Sequence, residues 1–131
     1  SDIVQQVKPH DVYVPFPGDA HSDHRVVYEA MAAALKWFRA PSVNRVFCYE
    51  TPSETEVALS AEHRSFTPNW YVDISRYVDA KTAVLELYAG ELGEFPFPRS
   101  AEYVSALAKT RGGAVGYDAA EAFALVRSRT P

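Results

Sequence analysis

The sequence predicts an α/β fold built on a mainly parallel sheet, and three observations carry that prediction. Two short apolar runs, Asp11–Phe16 and Asn44–Tyr49, are rich in β-branched and aromatic residues and read as strands buried on both faces. Between them lies a long segment with apolar residues at helical spacing. Along the 131 residues the elements run strand, helix, strand, loop, strand, helix, helix, strand, the order of an α/β sandwich, at a length that suits one domain.

Each element has a local cause. In residues 1–9, Ile3, Val4 and Val7 share a helical face and Pro9 stops it, as in the last turns of a helix that begins upstream. The strand at 11–16 is ended by Pro15, Pro17 and Gly18. The loop Gly18-Asp19-Ala20-His21 then falls at its C-terminal end, where open α/β sheets bind ligands. A helix is predicted from Ser22 to Arg39, with Val26, Val27, Ala30, Met31, Ala34, Leu35 and Phe38 facing inward, Ser22 as N-cap and Pro41 as terminator. Residues 51–68 are polar and aperiodic, a long loop. Trp70–Ile74 alternates as a short strand, and Ser75 is placed to cap a helix to about Leu92, with Val78, Leu85, Tyr88 and Leu92 as its stripe. Ser100 caps a further helix to Arg111, with Val104, Leu107 and Ala108 inward. Gly112-Gly113 closes it with the residue type that tolerates left-handed geometry. Ala120–Arg127 fits a last strand or a short helix; Phe123 and Leu125 favour the strand.

Composition narrows the function. The chain is 47% hydrophobic, enough for a packed core, and its net charge of -4 provides no basic footprint for nucleic acid. One cysteine, Cys48, excludes an internal disulfide and a Cys-rich zinc site, and fits a cytoplasmic location. No apolar run approaches the ~18 residues of a membrane-spanning helix, and no signal peptide is visible.

The chemistry concentrates in His21-Ser22-Asp23-His24. Two imidazoles three positions apart at a helix start can address one spot. Neutral imidazole ligates zinc and serves as an acid or base near neutral pH. An intervening Asp can fix an imidazole tautomer. On spacing alone a capping or solvated His pair is the commoner case. Position beyond a buried strand, in a loop holding Asp19 and Asp23, favours a cation beside a polarised substrate oxygen. Weaker candidates each have a plain alternative. Arg99 could bind an anionic substrate group or form a surface ion pair. Asp73 could serve a site or a cap. Trp37, Trp70 and Phe97 could stack on a sugar or pack, and His63 reads as a loop side chain. Cys48, inside an apolar run, reads as an inert core thiol.

The segment Phe16-Pro17-Gly18-Asp19-Ala20-His21-Ser22-Asp23-His24-Arg25 resembles the second motif of the PIG-L/LmbE-like zinc deacetylases, with Ser22 where that family usually has Pro. The segment 66–75, Lys81, Tyr88, Pro98-Arg99-Ser100, Arg111-Gly112 and Ala120-Glu121-Ala122-Phe123 resemble the family in the same order, over nearly the whole chain. The resemblance implies the C-terminal half of a Rossmann-like three-layer sandwich, and hydrolysis of the acetamide of an N-acetylglucosamine conjugate with Zn2+ as cofactor. It implies His24 as a zinc ligand, His21 as the residue that stabilises the oxyanion or acts as acid, and Asp23 as the acid behind His21. Asp19 and Arg99 are carried as substrate-binding candidates. The family's first motif, His-Pro-Asp-Asp, which supplies two ligands and the catalytic base, has no counterpart here; Pro9-His10-Asp11 has the wrong order.

The expectation is therefore a single α/β domain, 1–131, incomplete at its N-terminus, that is inactive alone and binds zinc weakly or not at all. Two other readings stay open: a non-catalytic module binding a sugar or a protein, and one half of a two-chain enzyme. In the first and third readings the strand at 11–16 lacks a neighbour, so self-association through an exposed sheet edge is expected.

Overall fold

The computed structural model describes residues 2–59 and 65–130, so His63 lies outside the described residues. The elements are α1 (Asp2–Val7), β1 (Asp11–Pro15), α2 (Ser22–Ala34), β2 (Arg45–Tyr49), β3 (Trp70–Asp73), α3 (Val78–Glu86), a 3₁₀ turn (Ala89–Glu91), α4 (Ala101–Gly113) and β4 (Ala120–Ser128). The strands form one sheet in the order β1-β2-β4-β3. The α/β class stands, but the sheet is mixed rather than mainly parallel: β1 and β2 are parallel, while β4 runs antiparallel to β2. Burial on both faces made β1 and β2 read as parallel strands; it carries no information on the direction of a strand arriving from far along the chain.

The chain divides into two compact units, residues 1–69 with 123–131, and residues 70–122. In the first unit, β1 and β2 pair in register Val12↔Val46, Tyr13↔Phe47 and Val14↔Cys48. Val12, Val14, Val46 and Cys48 join Leu35, Ala40 and Val43 in one buried cluster, against which Tyr28 and Met31 of α2 pack. The alternate residues meet as aromatics: Tyr13 stacks on Phe47 at 5.0 Å, and Phe123 of β4 approaches Tyr13 edge-on at 5.1 Å. Tyr13 remains exposed, so β1 is not buried on both faces as its composition suggested. β1 is an edge strand. Phe16 gives its N–H to Tyr49, so the nitrogen of the preceding Pro15 faces the open side, where a missing N–H breaks no ladder bond.

Helix α2 departs from its expectation in three ways. It ends at Ala34 rather than Arg39. Arg127 Nη1 takes the carbonyl of Leu35 and Arg39 Nη1 takes that of Ala33, so guanidinium groups cap its last turn. Its N-cap is His21, whose ring accepts the N–H of Asp23, and not Ser22. Val26, Val27, Ala30 and Phe38, expected inward, are exposed, and the helix meets the core through Tyr28, Met31 and the following Leu35.

In the second unit, Ile74, Ala108 and Ala119 form a small core with Val78 against it. Ser75 does not cap α3. Its hydroxyl donates to Asp73 Oδ1 (2.5 Å) and accepts the N–H of Ala119 (3.3 Å), and α3 starts after Tyr77 with no side-chain cap. The expected helix to Leu92 stops at Glu86, and Tyr88 of its predicted stripe is exposed. Ser100 does cap α4, accepting from Tyr103 N–H at 3.1 Å, with Val104 and Ala108 buried as expected. Gly112 serves a different purpose from the one predicted. It is helical, and a Cβ there would lie 2.6 Å from Tyr117 O and 2.7 Å from Ala119 Cα; the left-handed glycine is Gly116, with φ of 84°. Among the described residues no helix is long and apolar enough to cross a membrane.

Candidate functional site

The loop after β1 and the first turn of α2 bring His21, His24 and Asp19 together inside the first unit. β1 delivers the chain to the sheet's C-terminal end, and the turn Asp19 N–H to Phe16 O (3.2 Å) folds it back. The loop after β2 meets it there: Ala20 N–H donates to Glu54 O at 2.9 Å. The two imidazoles lie side by side, ring centroids 5.4 Å apart and 26° from parallel.

His24 is held by its Nδ1, which stands 2.7 Å from Asp19 Oδ2. A carboxylate only accepts, so in the neutral ring the proton lies on Nδ1 and Nε2 carries the lone pair. The carboxylate-to-histidine arrangement is the one that fixes metal-ligating imidazoles in the ligand tautomer. The His24 side chain is 23% exposed while that of Asp19 is fully enclosed. Asp19 is thus a buried partner of His24 rather than a group presented to a substrate. Its other oxygen, Oδ1, accepts the hydroxyl of Thr55 at 2.6 Å, and that hydroxyl accepts the N–H of Thr51 at 2.8 Å.

His21 has the opposite polarity. Its Nδ1 accepts the backbone N–H of Asp23 at 3.2 Å, so in the neutral ring the proton lies on Nε2, a donor. Its side chain is half exposed, which suits a group that meets a ligand. The Asp23 carboxylate is 79% exposed and 4.0 Å from His21 Nδ1; the contact with His21 runs through the Asp23 backbone. The pair therefore offers one acceptor nitrogen suited to a cation and one donor N–H suited to an oxygen that gains charge.

Two imidazoles do not complete a zinc site, and among the described residues no group of three or more His, Cys, Asp or Glu is placed to do so. His10 lies on the turn into β1 and is exposed; its carbonyl accepts from Asn44 and Arg45. Arg99 belongs to the second unit, where Nη1 pairs with Glu91 at 2.8 Å and the guanidinium lies 5.2 Å over the Phe97 ring. Asp73 is occupied by Ser75, whose hydroxyl and backbone N–H hold its carboxyl below the usual range. Trp37 is exposed and packs edge-on against Phe38. Cys48 is buried, and burial, with the Asp19 charge adding to it, pushes its thiol up to about 11. Thr55 carries no signal in the sequence: it sits in the aperiodic loop, and only the three-dimensional register sets it against Asp19, 36 positions away.

No protein-family model matches the chain. No curated protein matches it either. Its fold is similar to the crystal structure of the conserved protein TT1542 from Thermus thermophilus, with a TM-score of 0.73 and 23% identity over 98% of this chain. This chain spans 57% of the length of that structure.

Proposed function

We propose that this chain is the C-terminal part of a zinc-dependent hydrolase that removes the acetyl group of an N-acetylglucosamine-type conjugate, with His24 as the metal ligand it contributes. One observation carries the reading: His24 Nδ1 is tied to the enclosed Asp19 carboxylate at 2.7 Å, which leaves Nε2 as a fixed lone pair at the C-terminal end of β1. The resemblance of residues 16–25 to the second deacetylase motif supplies the reaction class. The likeness to a longer structure agrees with a chain that is part of something larger.

In this reading His24 would hold the metal through Nε2, and the metal would supply Lewis acidity to an acetamide carbonyl. His21 supplies an N–H from Nε2 to the oxygen that gains charge as the carbonyl is attacked, and its bond from the Asp23 backbone keeps that tautomer. In this reading the general base is not among the described residues gathered here, and the chain alone is expected to turn over no substrate. The test is zinc binding by the 131-residue chain, with acetate release from N-acetylglucosamine conjugates measured alongside. The expected result is weak binding that His24→Ala abolishes and His21→Ala leaves largely intact, without turnover. Zinc affinity indifferent to His24→Ala would overturn the metal assignment. Stoichiometric zinc with turnover by this chain alone would overturn the incomplete site. Metal-independent capture of the sugar conjugate would favour a non-catalytic module.

A further inference from the structure

The loop that follows β2 reaches into the His pair through a chain of hydrogen bonds whose direction is fixed. Thr51 N–H donates to Thr55 Oγ1 (2.8 Å), the Thr55 hydroxyl donates to Asp19 Oδ1 (2.6 Å), and Asp19 Oδ2 accepts from His24 Nδ1 (2.7 Å). Because the Thr55 oxygen already takes a backbone N–H, its own proton is left for Asp19. Because Asp19 is a carboxylate, the last bond runs from His24. Two backbone bonds hold the donor in place: Thr55 N–H to Thr51 O at 3.0 Å closes a single turn of the loop, and Ala20 N–H to Glu54 O at 2.9 Å clamps that turn to the residue beside Asp19. The Asp19 side chain is fully enclosed, so the Thr55 hydroxyl takes the place that water would hold on an exposed carboxylate.

We infer that Thr55, acting through Asp19, is a positioning residue that holds the His24 ring in its orientation and keeps the proton on Nδ1. Its metal consequence rests on the function proposed above; its effect on the ring does not. A free histidine side chain prefers the proton on Nε2, so the Nδ1–H form is imposed by the Asp19 partner. With Thr55 removed, Oδ1 is an enclosed acceptor without its donor. Asp19 then turns toward other donors or admits water, and the hold on His24 loosens. Loss of the carboxylate behind a ligating imidazole lowers metal affinity by about 10- to 100-fold, and loss of the hydroxyl one bond further out should lower it by a smaller factor.

The experiment uses the 131-residue chain uniformly labelled with 15N. The long-range couplings of the imidazole nitrogens report which nitrogen of His24 carries the proton, without any metal present. In the parent chain Nδ1 is protonated. In Thr55→Val, which keeps the β-branched shape, and in Asp19→Asn, His24 moves toward the Nε2–H form, and Thr55→Ser restores the parent spectrum. His21, held by a backbone N–H, keeps its pattern throughout and serves as the internal control. If Thr55→Val fails to fold, Thr55→Ala and Asp19→Asn supply the same readout. An unchanged His24 pattern in folded Thr55→Val or Thr55→Ala overturns the inference whatever zinc does. A zinc titration of the same samples judges the functional reading separately. With the tautomer responding as stated, affinity should fall about 10-fold or more in Asp19→Asn and by a smaller factor in Thr55→Val. Zinc affinity that ignores Asp19→Asn while the His24 tautomer responds would sink the metal role of His24 and leave Thr55 in its positioning role.

Discussion

The two units are held together by different means, and the difference explains where chemistry gathers. The first has a core of seven buried apolar residues from β1, β2, the end of α2 and the segment that follows it, together with a Tyr13–Phe47–Phe123 aromatic cluster. The second buries Ile74 and Val104 with four alanines, Ala108, Ala119, Ala120 and Ala122, small side chains for the most part, and closes its chain through backbone proximity at Gly112 and polar links such as Ser75 to Asp73 and Ala119. A thick apolar core fixes the ends of two parallel strands, and loops leaving those ends can hold enclosed polar groups such as Asp19 without letting them drift. A thin core joined by polar links offers no comparable platform, and its charged residues pair with each other, as Arg99 does with Glu91 and Lys81 with Glu121.

The largest effect should come from emptying the thick core. Phe47 is 1% exposed and touches both Tyr13 and Phe123. Phe47→Ala should destabilise the first unit by about 3–5 kcal/mol, measured by urea denaturation followed through hydrogen exchange of β1 and β2 amides. Loss of exchange protection confined to residues 70–122 would contradict the proposed division of labour.

In the second unit the vulnerable point is space next to backbone. A methyl group at Gly112 would sit 2.6 Å from Tyr117 O and 2.7 Å from Ala119 Cα, and neither can yield as a flexible side chain does. Gly112→Ala should cost about 1–3 kcal/mol, seen as faster amide exchange in α4 and β3. At Gly113, one residue on, nothing lies within 4 Å of an added Cβ. Gly113→Ala, at the last residue of α4, should therefore stabilise the helix by at most about 0.5 kcal/mol through the helix preference for alanine. Equal effects at the two glycines would show that the close approach at Gly112 is not what holds this unit.

The sequence made legible what short-range patterns encode. β1 and β2 were evident as apolar runs, Ser100 as a cap, and the His pair as a feature at the end of a strand. The directions of paired strands were not, because β4 meets β2 antiparallel through a contact that no local pattern records. Helical periodicity overstated burial on α2, where Val26 and Val27 fit the stripe yet face outward. At the site, His21 and His24 were readable from spacing. Their opposite tautomers were not, since they depend on one backbone N–H and one carboxylate whose placement is tertiary. Ser22 and Ser75 show the same limit: both are good caps by type, but the His21 ring already caps α2, and the Ser75 hydroxyl is spent on Asp73 and Ala119.

The smallest expected effect, and the finest test of the comparison, is the response to acid. Among the described residues, each unit holds a carboxyl whose pKa is lowered. Asp11 in the first is lowered chiefly by hydrogen bonds from Arg45, with burial opposing and the Arg45 charge assisting. Asp73 in the second is lowered chiefly by the Ser75 hydroxyl and then its backbone N–H. A carboxyl with a depressed folded value binds its proton less readily when folded than when unfolded, so acid favours the unfolded chain. The stability each contributes is fully present above the ordinary value of 3.8 and is lost as pH falls through the lowered folded value. Both side chains face water enough for the effect to be modest and for salt to weaken the Asp11–Arg45 part of it. Asp11→Asn should therefore flatten the acid dependence of exchange protection in β1 and β2 between about pH 5 and about pH 2, and leave that of β3 and α4 unchanged. Asp73→Asn should do the reverse. Because Asp73 is held chiefly by the neutral donors of Ser75, with the Arg76 charge adding least, and Asp11 by a guanidinium, added salt should shrink the Asp11 effect more than the Asp73 effect; an equal salt response in both units would mean that long-range charge, not these two local partners, sets the acid limit of the fold.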